Sequence, residues 1–220
     1  MRRRIRAALL ALALCVQLVP CARAADVLAE YSDLDRNAWY APGVRYCLER
    51  GLMTGYGSRV RYFSPWQQFT RAQLATILWR MEGEPKIGLT MQYTDVPDDV
   101  WYTEAVRWIV GVEVMSGYTV LSFGPDDPIT REQFAAILWR YAKYRDGDIQ
   151  TPDSAAYDSY GDRGAVSDYA VDAMRWACAL GIITGQKDRF GNVWLIPQGN
   201  CSRAVAATIL MRFCLDMGND

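Results

Sequence analysis

The sequence of 220 residues contains no histidine. Catalytic triads and Cys–His dyads use imidazole as their base, and imidazole is the commonest ligand of transition metals in proteins. The absence therefore excludes most nucleophilic hydrolase sites and most transition-metal sites. We expect no catalytic residue, no metal and no cofactor.

Cysteine appears in no spacing that indicates a metal or redox site. No two cysteines form a CxxC pair, and only Cys47, Cys178, Cys201 and Cys214 lie beyond residue 24. Each of them falls at a position of helix or core character, where cysteine acts as a small hydrophobic residue. We expect buried free thiols; Cys178 with Cys201 is the one pair for which a disulfide is worth testing.

Long hydrophobic runs are confined to the first residues of the chain. Four arginines among residues 2–6 precede an apolar stretch from Ala7 to about Val19, and Ala22-Arg23-Ala24 has the pattern of a signal-peptidase site. The stretch is too short to span a bilayer, so we interpret residues 1–24 as a cleaved secretory signal rather than a membrane anchor. The mature chain would have no membrane span and would be secreted.

Positive charge is also scarce once this leader is removed. Residues 25–220 carry 19 basic and 25 acidic side chains, a net charge of −6. Proteins that bind nucleic acid present a basic patch to the phosphates. The composition therefore predicts no nucleic-acid partner.

The rest of the sequence consists of three copies of one pattern. Each copy opens with an aromatic residue two before an Asp, places a helix after a Trp or Tyr, ends that helix in an apolar turn with Gly, and passes a Pro before a second helix. The second helices have apolar residues at helical spacing. We place the copies at residues 31–84, 91–145 and 157–217, with linkers at 82–92 and 143–159, and predict an all-α protein in which the repeats pack together.

Each second helix begins with a hydroxyl residue followed directly by arginine. The steps are Thr70-Arg71, Thr130-Arg131 and Ser202-Arg203. The hydroxyl is placed to cap the helix, and Gln73 and Gln133 complete a capping box that Val205 cannot form. Arginine at the positive end of a helix dipole is electrostatically unfavourable, so its recurrence indicates an anion site made of exposed guanidinium groups and free helix-start amides.

This ordered set of motifs resembles the S-layer homology domain, over residues 31 to about 217. The resemblance implies three tandem helical repeats in a pseudo-threefold assembly with ligand grooves between neighbouring repeats. It also implies noncovalent anchoring to a secondary cell wall polymer, which often bears a pyruvate ketal on N-acetylmannosamine. The carboxylate of such a ketal is an anion of the kind that the arginines suit.

Matched by motif, the resemblance implies four groove positions in each repeat. They are Asp33, Trp39, Gly55 and Arg71, then Asp95, Trp101, Gly117 and Arg131, and then Asp162, Tyr169, Gly185 and Arg203. Each Asp has a second interpretation, as a turn former that orients the Arg. Trp39 and Trp101 fit a groove wall or the core equally well. Glu113 replaces a Gly at a position that favours a left-handed backbone.

From these motifs we expect the third site to be the weakest and Arg203→Ala to be the mildest of the three Arg-to-Ala substitutions. Tyr169 offers a smaller ring than Trp, and Val205 leaves its cap incomplete. We also expect removal of any of these arginines to weaken wall binding and to cost little stability.

Two other functions stay open at this point. A glycan hydrolase would need paired carboxylates, for which Asp98 with Asp99 and Asp33 with Asp35 are the candidates, but no acid pair recurs in the three copies. A protein-binding surface adaptor or an S-layer subunit without direct glycan binding would use the repeat faces to contact other surface proteins. Binding to walls with and without their secondary polymer separates these functions.

Overall fold

The computed structural model describes residues 26–147, 149–150 and 153–218, and the leader predicted for residues 1–24 lies outside this part of the chain. The described residues are mainly helical, as the repeats predict. The α-helices are α1 (Ala41–Glu49), α2 (Arg71–Met81), α3 (Thr103–Gly111), α4 (Arg131–Asp146), α5 (Ala155–Asp158), α6 (Val171–Ala179) and α7 (Arg203–Asp216). Short 3₁₀ turns lie at Val27–Glu30, Arg163–Ala165 and Asp168–Ala170, and two short antiparallel strands, β1 (Gln186–Lys187) and β2 (Val193–Trp194), form a hairpin. None of the helices in the described residues has the length and apolar content needed to cross a lipid bilayer.

The longer helices form three pairs that close into a ring. We call α1 with α2 the first pair, α3 with α4 the second, and α6 with α7 the third. The first helix of each pair packs against the second helix of the preceding pair: α3 on α2, α6 on α4, and α1 on α7. Their apolar faces form one continuous core, to which all three pairs contribute. No pair buries its apolar face alone, which is the expectation for repeats of this size.

Three backbone hydrogen bonds join the pairs at the centre of the ring. Phe69 N donates to Cys201 O at 2.8 Å, Ile129 N donates to Phe69 O at 2.9 Å, and Cys201 N donates to Ile129 O at 2.8 Å. All three side chains are fully buried. Each residue lies two positions before an Arg of the hydroxyl–Arg steps, so this triangle fixes the three helix starts around one axis.

The predicted helix caps are present. Thr70 and Thr130 each accept a hydrogen bond from the amide of the Gln three residues on, and that Gln accepts one in return. Ser202 accepts from Val205 N, and the cap has no reciprocal bond. The local spacing of hydroxyl and amide side chains therefore sets where α2, α4 and α7 begin.

Three further details of the fold bear on the sequence predictions. The second linker was predicted too long, because α4 continues to Asp146 and α5 forms a helical turn inside it. Glu113 has a φ of 59°, close to the values of 66° and 68° at Gly51 and Gly181, so the backbone is left-handed at this position in all three copies. The four cysteines are buried free thiols, and Cys178 and Cys201 form no disulfide.

Candidate functional site: three grooves between the helix pairs

Arg71, Arg131 and Arg203 are buried, which corrects the expectation that they are exposed. Each retains only 4% of its accessible surface. Burial lowers the pKa of each guanidinium. The pKa of arginine is ordinarily so far above neutral pH that each side chain keeps its charge. These side chains are therefore part of the packed structure as well as sources of positive charge.

Each arginine donates hydrogen bonds to two backbone carbonyl oxygens of another helix pair. Arg71 donates from Nε to Phe123 O at 3.0 Å and from Nη2 to Ser116 O at 2.7 Å. Arg131 donates in the same way to Leu195 O and Thr184 O, both at 2.6 Å.

Arg203 closes the ring by donating to Phe63 O at 2.8 Å and Thr54 O at 2.6 Å. We call this two-bond contact the arginine clasp. Nη1 of each arginine makes no hydrogen bond within the described residues and is not completely shielded from solvent. One guanidinium nitrogen in each clasp therefore has no protein partner in this part of the chain.

The helix-start amides are not free, contrary to the sequence prediction. Arg71 N donates to Asp127 O and Ala72 N to Pro125 O, and the same positions of α4 donate to Gly199 O and Pro197 O. The first amides of α7 donate to Gln67 O and Pro65 O. Since neighbouring loops occupy these donors, an anion in this region would be bound by side chains.

The three predicted Asp residues accept hydrogen bonds from the same loops whose carbonyl oxygens bind the arginines. Asp33 accepts from Phe63 N and Ser64 N at 2.8 and 2.7 Å, and Asp162 accepts from Leu195 N and Ile196 N at the same distances. Asp95 accepts from Phe123 N, Gly124 N and the Ser122 hydroxyl. Burial alone would raise the pKa of Asp95, but these hydrogen bonds hold it below its ordinary value. Each Asp therefore fixes one side of a peptide whose carbonyl the clasp holds from the other.

The three predicted Gly residues lie under the aromatic ring that opens their own repeat. A Cβ at Gly117 would come within 2.5 Å of the Tyr93 ring and 2.6 Å of Ser122 O. The equivalent collisions at Gly55 and Gly185 are with Tyr31 and Tyr160. The bare backbone thus accommodates a tyrosine ring in each copy, and Gly117 and Gly185 also line grooves.

Three grooves lie beside the clasps, and we name each one by its buried arginine. The Arg71 groove is lined by Arg71, Met115, Ser116, Gly117, Tyr118, Gln133, Ala136, Ile137, Arg140 and Tyr169. The Arg203 groove is lined by Arg203, Leu52, Met53, Thr54, Tyr56, Phe69, Gln73, Thr76, Ile77, Arg80 and Trp101. The Arg131 groove is lined by Arg131, Ile183, Thr184, Gly185, Gln186, Lys187, Asn200, Ser202, Val205, Thr208, Ile209, Arg212, Trp39 and Trp66.

Each groove combines residues from all three helix pairs. The arginine of one pair meets the turn and second helix of the next, and the third pair supplies an aromatic side chain. Trp39, Trp101 and Tyr169 are 57%, 58% and 51% exposed, so none of them belongs to the core. Burial and the neighbouring Glu132 carboxylate raise the pKa of Tyr169 to about 12, which keeps its hydroxyl neutral.

This arrangement contradicts the premise on which we ranked the sites. Tyr169 lines the Arg71 groove, while Ser202 and Val205 line the Arg131 groove. The Arg203 groove takes its other residues from the first and second pairs, which carry Gln73 and Trp101. Tyr169 and Val205 therefore do not line the groove that contains Arg203, and among these departures only the incomplete cap of α7, whose first residue is Arg203, bears on it.

The grooves contain a second arginine that the sequence reasoning missed. Arg80, Arg140 and Arg212 each lie nine residues after the first arginine of their helix and line the grooves beside α2, α4 and α7. The recurrence at a fixed spacing was the available signal. No Asp or Glu lines any of the three grooves in the described part of the chain. All the charged side chains that line these grooves are therefore positive, although acidic residues outnumber basic ones in the chain.

Comparison with known families agrees with this architecture. The sequence profile of the S-layer homology domain matches residues 30–75 and 92–135. These ranges contain α1 and the start of α2, and α3 and the start of α4.

Relatives of the chain include bacterial surface-layer and anchoring proteins and an endoglucanase. An endoglucanase from Bacillus sp. (strain KSM-635) is 27% identical over 82% of the chain, and the Surface-layer 125 kDa protein of Lysinibacillus sphaericus is 26% identical over 89%. A cellulosome-anchoring protein from Acetivibrio thermocellus is 28% identical over half of the chain. The chain covers only 18%, 15% and 25% of the lengths of these relatives, so it corresponds to a minor part of each. The shared segment and the surface-layer relatives indicate a location at the cell surface.

Proposed function

We propose that the chain, whose residues 30–75 and 92–135 match the S-layer homology domain, anchors noncovalently to the bacterial cell wall. The ligand is an acidic secondary cell wall polymer, bound in the Arg71, Arg131 and Arg203 grooves. The observation that carries the proposal is the charge of the grooves: each contains a buried and a more accessible arginine and no acidic side chain among the described residues. In a chain with more acidic than basic residues, such grooves favour an anionic ligand.

We assign a third S-layer homology repeat to residues 157–217. Ser202 caps α7 as Thr70 and Thr130 cap α2 and α4. Arg203 forms the same clasp as the other two arginines. The similarity to the surface-layer protein, which covers 89% of the chain, extends into this pair.

The groove geometry supports a specific way of binding. Nη1 of the clasping arginine and the guanidinium of Arg80, Arg140 or Arg212 together receive a carboxylate, such as that of a pyruvate ketal on N-acetylmannosamine. The exposed ring of Trp39, Trp101 or Tyr169 stacks on the apolar face of a sugar. In this function Asp33, Asp95, Asp162, Gly55, Gly117 and Gly185 position the groove walls.

We infer that this module binds glycan without cleaving it. Hydrolysis of glycosidic bonds requires a pair of carboxyl groups flanking the scissile bond. The walls of the three grooves supply none. Asp98 with Asp99 and Asp33 with Asp35 line none of the three grooves.

Wall co-sedimentation tests the proposal with substitutions that leave the clasps intact. We expect Arg80→Gln, Arg140→Gln and Arg212→Gln together to lower the affinity for purified walls by about tenfold or more, since a hydrogen bond to a charged group contributes roughly 1.5–3 kcal/mol. The matched control replaces exposed arginines outside the grooves with glutamine: Arg59, Arg163 and Arg189.

Two results would contradict the proposal. Equal loss of binding in both triple variants would indicate general charge attraction, without groove recognition. Undiminished binding to walls stripped of their secondary polymer would indicate a different partner, as expected for a protein-binding adaptor. Circular dichroism of each variant checks that the fold is retained.

A further inference from the structure

The Arg131 groove differs in size from the other two grooves. Its volume is about 710 Å³, whereas the Arg71 and Arg203 grooves measure about 260 Å³ each. Two features of the sequence account for the difference, one in the third helix pair and one in the first.

The first feature is a longer wall made by the β1–β2 hairpin. The segment between Gly185 and Leu195 has nine residues, against seven between Gly55 and Phe63 and five between Gly117 and Phe123. This length allows β1 to place Gln186 and Lys187 in the groove wall. Lys187 is a third cation in this groove, where the others have two.

The hairpin is braced by its own acidic residue. Asp188 accepts hydrogen bonds from Trp194 Nε1 and Asn192 Nδ2, both at 3.0 Å. These bonds lower the pKa of Asp188 to about 2, and the bond from Trp194 has the largest effect. Asp188 does not line the groove, so it holds the turn while Lys187 presents its charge.

The second feature is an additional tryptophan. Trp66 follows Pro65, and the equivalent positions after Pro125 and Pro197 hold Asp126 and Gln198, which line none of the three grooves. Trp66 is 67% exposed.

Trp66 and Trp39 flank one buried ring. Both make edge-to-face contacts with Tyr40, at centroid distances of 5.5 and 5.6 Å. Tyr40 thus sets two exposed indoles side by side at one edge of the groove. Exposed rings held at a fixed spacing suit successive sugars of a chain, because each ring can stack on one sugar face.

We propose that the Arg131 groove binds an extended acidic glycan of at least two sugar residues. One negative group meets Arg131 and Arg212, a second meets Lys187, and the sugar rings stack on Trp39 and Trp66. The two smaller grooves each hold a single charged sugar. This inference rests on the proposed function and adds the length and charge of the ligand at one site.

Calorimetric titration with two probes of different length tests the inference. The short probe is N-acetylmannosamine bearing a pyruvate ketal, and the long probes are size-fractionated oligosaccharides of two or more repeats released from purified walls. We expect wild-type protein to bind the long probes at least about tenfold more tightly than the short one. Trp66→Ala and Lys187→Ala should each reduce that ratio by about three- to tenfold, and the effect of Lys187→Ala should shrink as salt is raised.

Arg189→Ala is the matched control, because Arg189 lies in the same hairpin, is exposed and lines none of the three grooves. It should leave the ratio unchanged. A ratio that does not depend on Trp66 or Lys187, in protein that still sediments with walls, overturns the extended site and leaves the anchoring function in place. Failure of the wild-type protein to bind walls overturns the anchoring function itself.

Discussion

The Arg71 and Arg131 grooves begin from the same clasp and then diverge. In both, a buried arginine donates from Nε and Nη2 to two carbonyl oxygens. The guanidinium of Arg71 also lies against the rings of Tyr118 and Phe123, at 4.5 and 4.8 Å. At the positions equivalent to those rings the third pair has Gln186 and Leu195.

This comparison separates two roles of the repeated motif. The inner end of each groove is fixed by hydrogen bonds that the fold requires, so it is the same in every copy. The outer wall carries no such requirement, because its side chains are exposed. Differences in groove size and charge therefore arise in the turn after the first helix and at the residue after the loop proline.

The largest effect is expected from removing a clasp. Arg71→Ala and Arg131→Ala should each lower the free energy of unfolding by about 2–4 kcal/mol, because two carbonyl groups lose their partners in a buried site. The loss should be larger for Arg71, which also gives up its contacts with Tyr118 and Phe123. Urea unfolding measures both, with Arg59→Ala as an exposed control. A change below about 0.5 kcal/mol in either clasp variant would show that the clasp is dispensable.

The next effect concerns the Asp that holds each loop. Asp95→Asn, beside the Arg71 groove, should cost about 1–3 kcal/mol at neutral pH, since an amide nitrogen would then face a backbone N–H. Asp162→Asn should cost less, because Asp162 accepts two amide bonds and Asp95 accepts a hydroxyl bond as well.

The pH dependence of stability provides a second measurement for Asp95. The pKa of this carboxyl is lowered in the folded protein, so the unfolded chain binds its proton first as the pH falls. Its contribution is complete above the unfolded pKa of about 3.9 and is lost as the pH falls through the folded pKa. The stability difference between wild type and Asp95→Asn should therefore narrow below about pH 4. A difference that stays constant there would contradict this linkage.

Smaller effects are expected from substitutions in the turn beside each of the two grooves, and the two substitutions should change stability in opposite directions. Glu113, in the turn of the Arg71 groove, has a left-handed backbone with a φ of 59°, where the Arg131 groove has Gly181. Glu113→Gly should raise the free energy of unfolding by about 0.5–1 kcal/mol, and Gly181→Ala should lower it by about 1 kcal/mol. A Cβ at Gly181 would meet no atom within 4 Å, so the second change reports backbone strain alone. Thermal unfolding in which both variants shift the midpoint in the same direction would rule out this explanation.

The smallest effect is expected at the incomplete cap of α7. Val205→Gln should add the reciprocal bond that Gln133 already makes in α4, for a gain of about 0.5 kcal/mol. Gln133→Val should cost a similar amount. Chemical denaturation of the two variants, Val205→Gln beside the Arg131 groove and Gln133→Val in the Arg71 groove, measures how much the capping box contributes to these helix starts.

The sequence alone predicted the parts of this protein that depend on near neighbours in the chain. The caps at Thr70 and Thr130 and the left-handed position of Glu113 were all predicted correctly. Each is decided by interactions within a few residues, and such interactions are repeated faithfully whenever the motif is repeated. The helical class of the fold follows from the same local signals.

Only the tertiary structure decided what the arginines do. The clasp bonds join residues between 45 and 149 positions apart, and the last of them connect the third pair back to the first. Once the ring closes, carbonyl oxygens of neighbouring loops accept hydrogen bonds from the helix-start amides and from two nitrogens of each guanidinium. The residues of one copy, adjacent in sequence, are thereby distributed among three grooves, because each groove forms where one pair packs on the next.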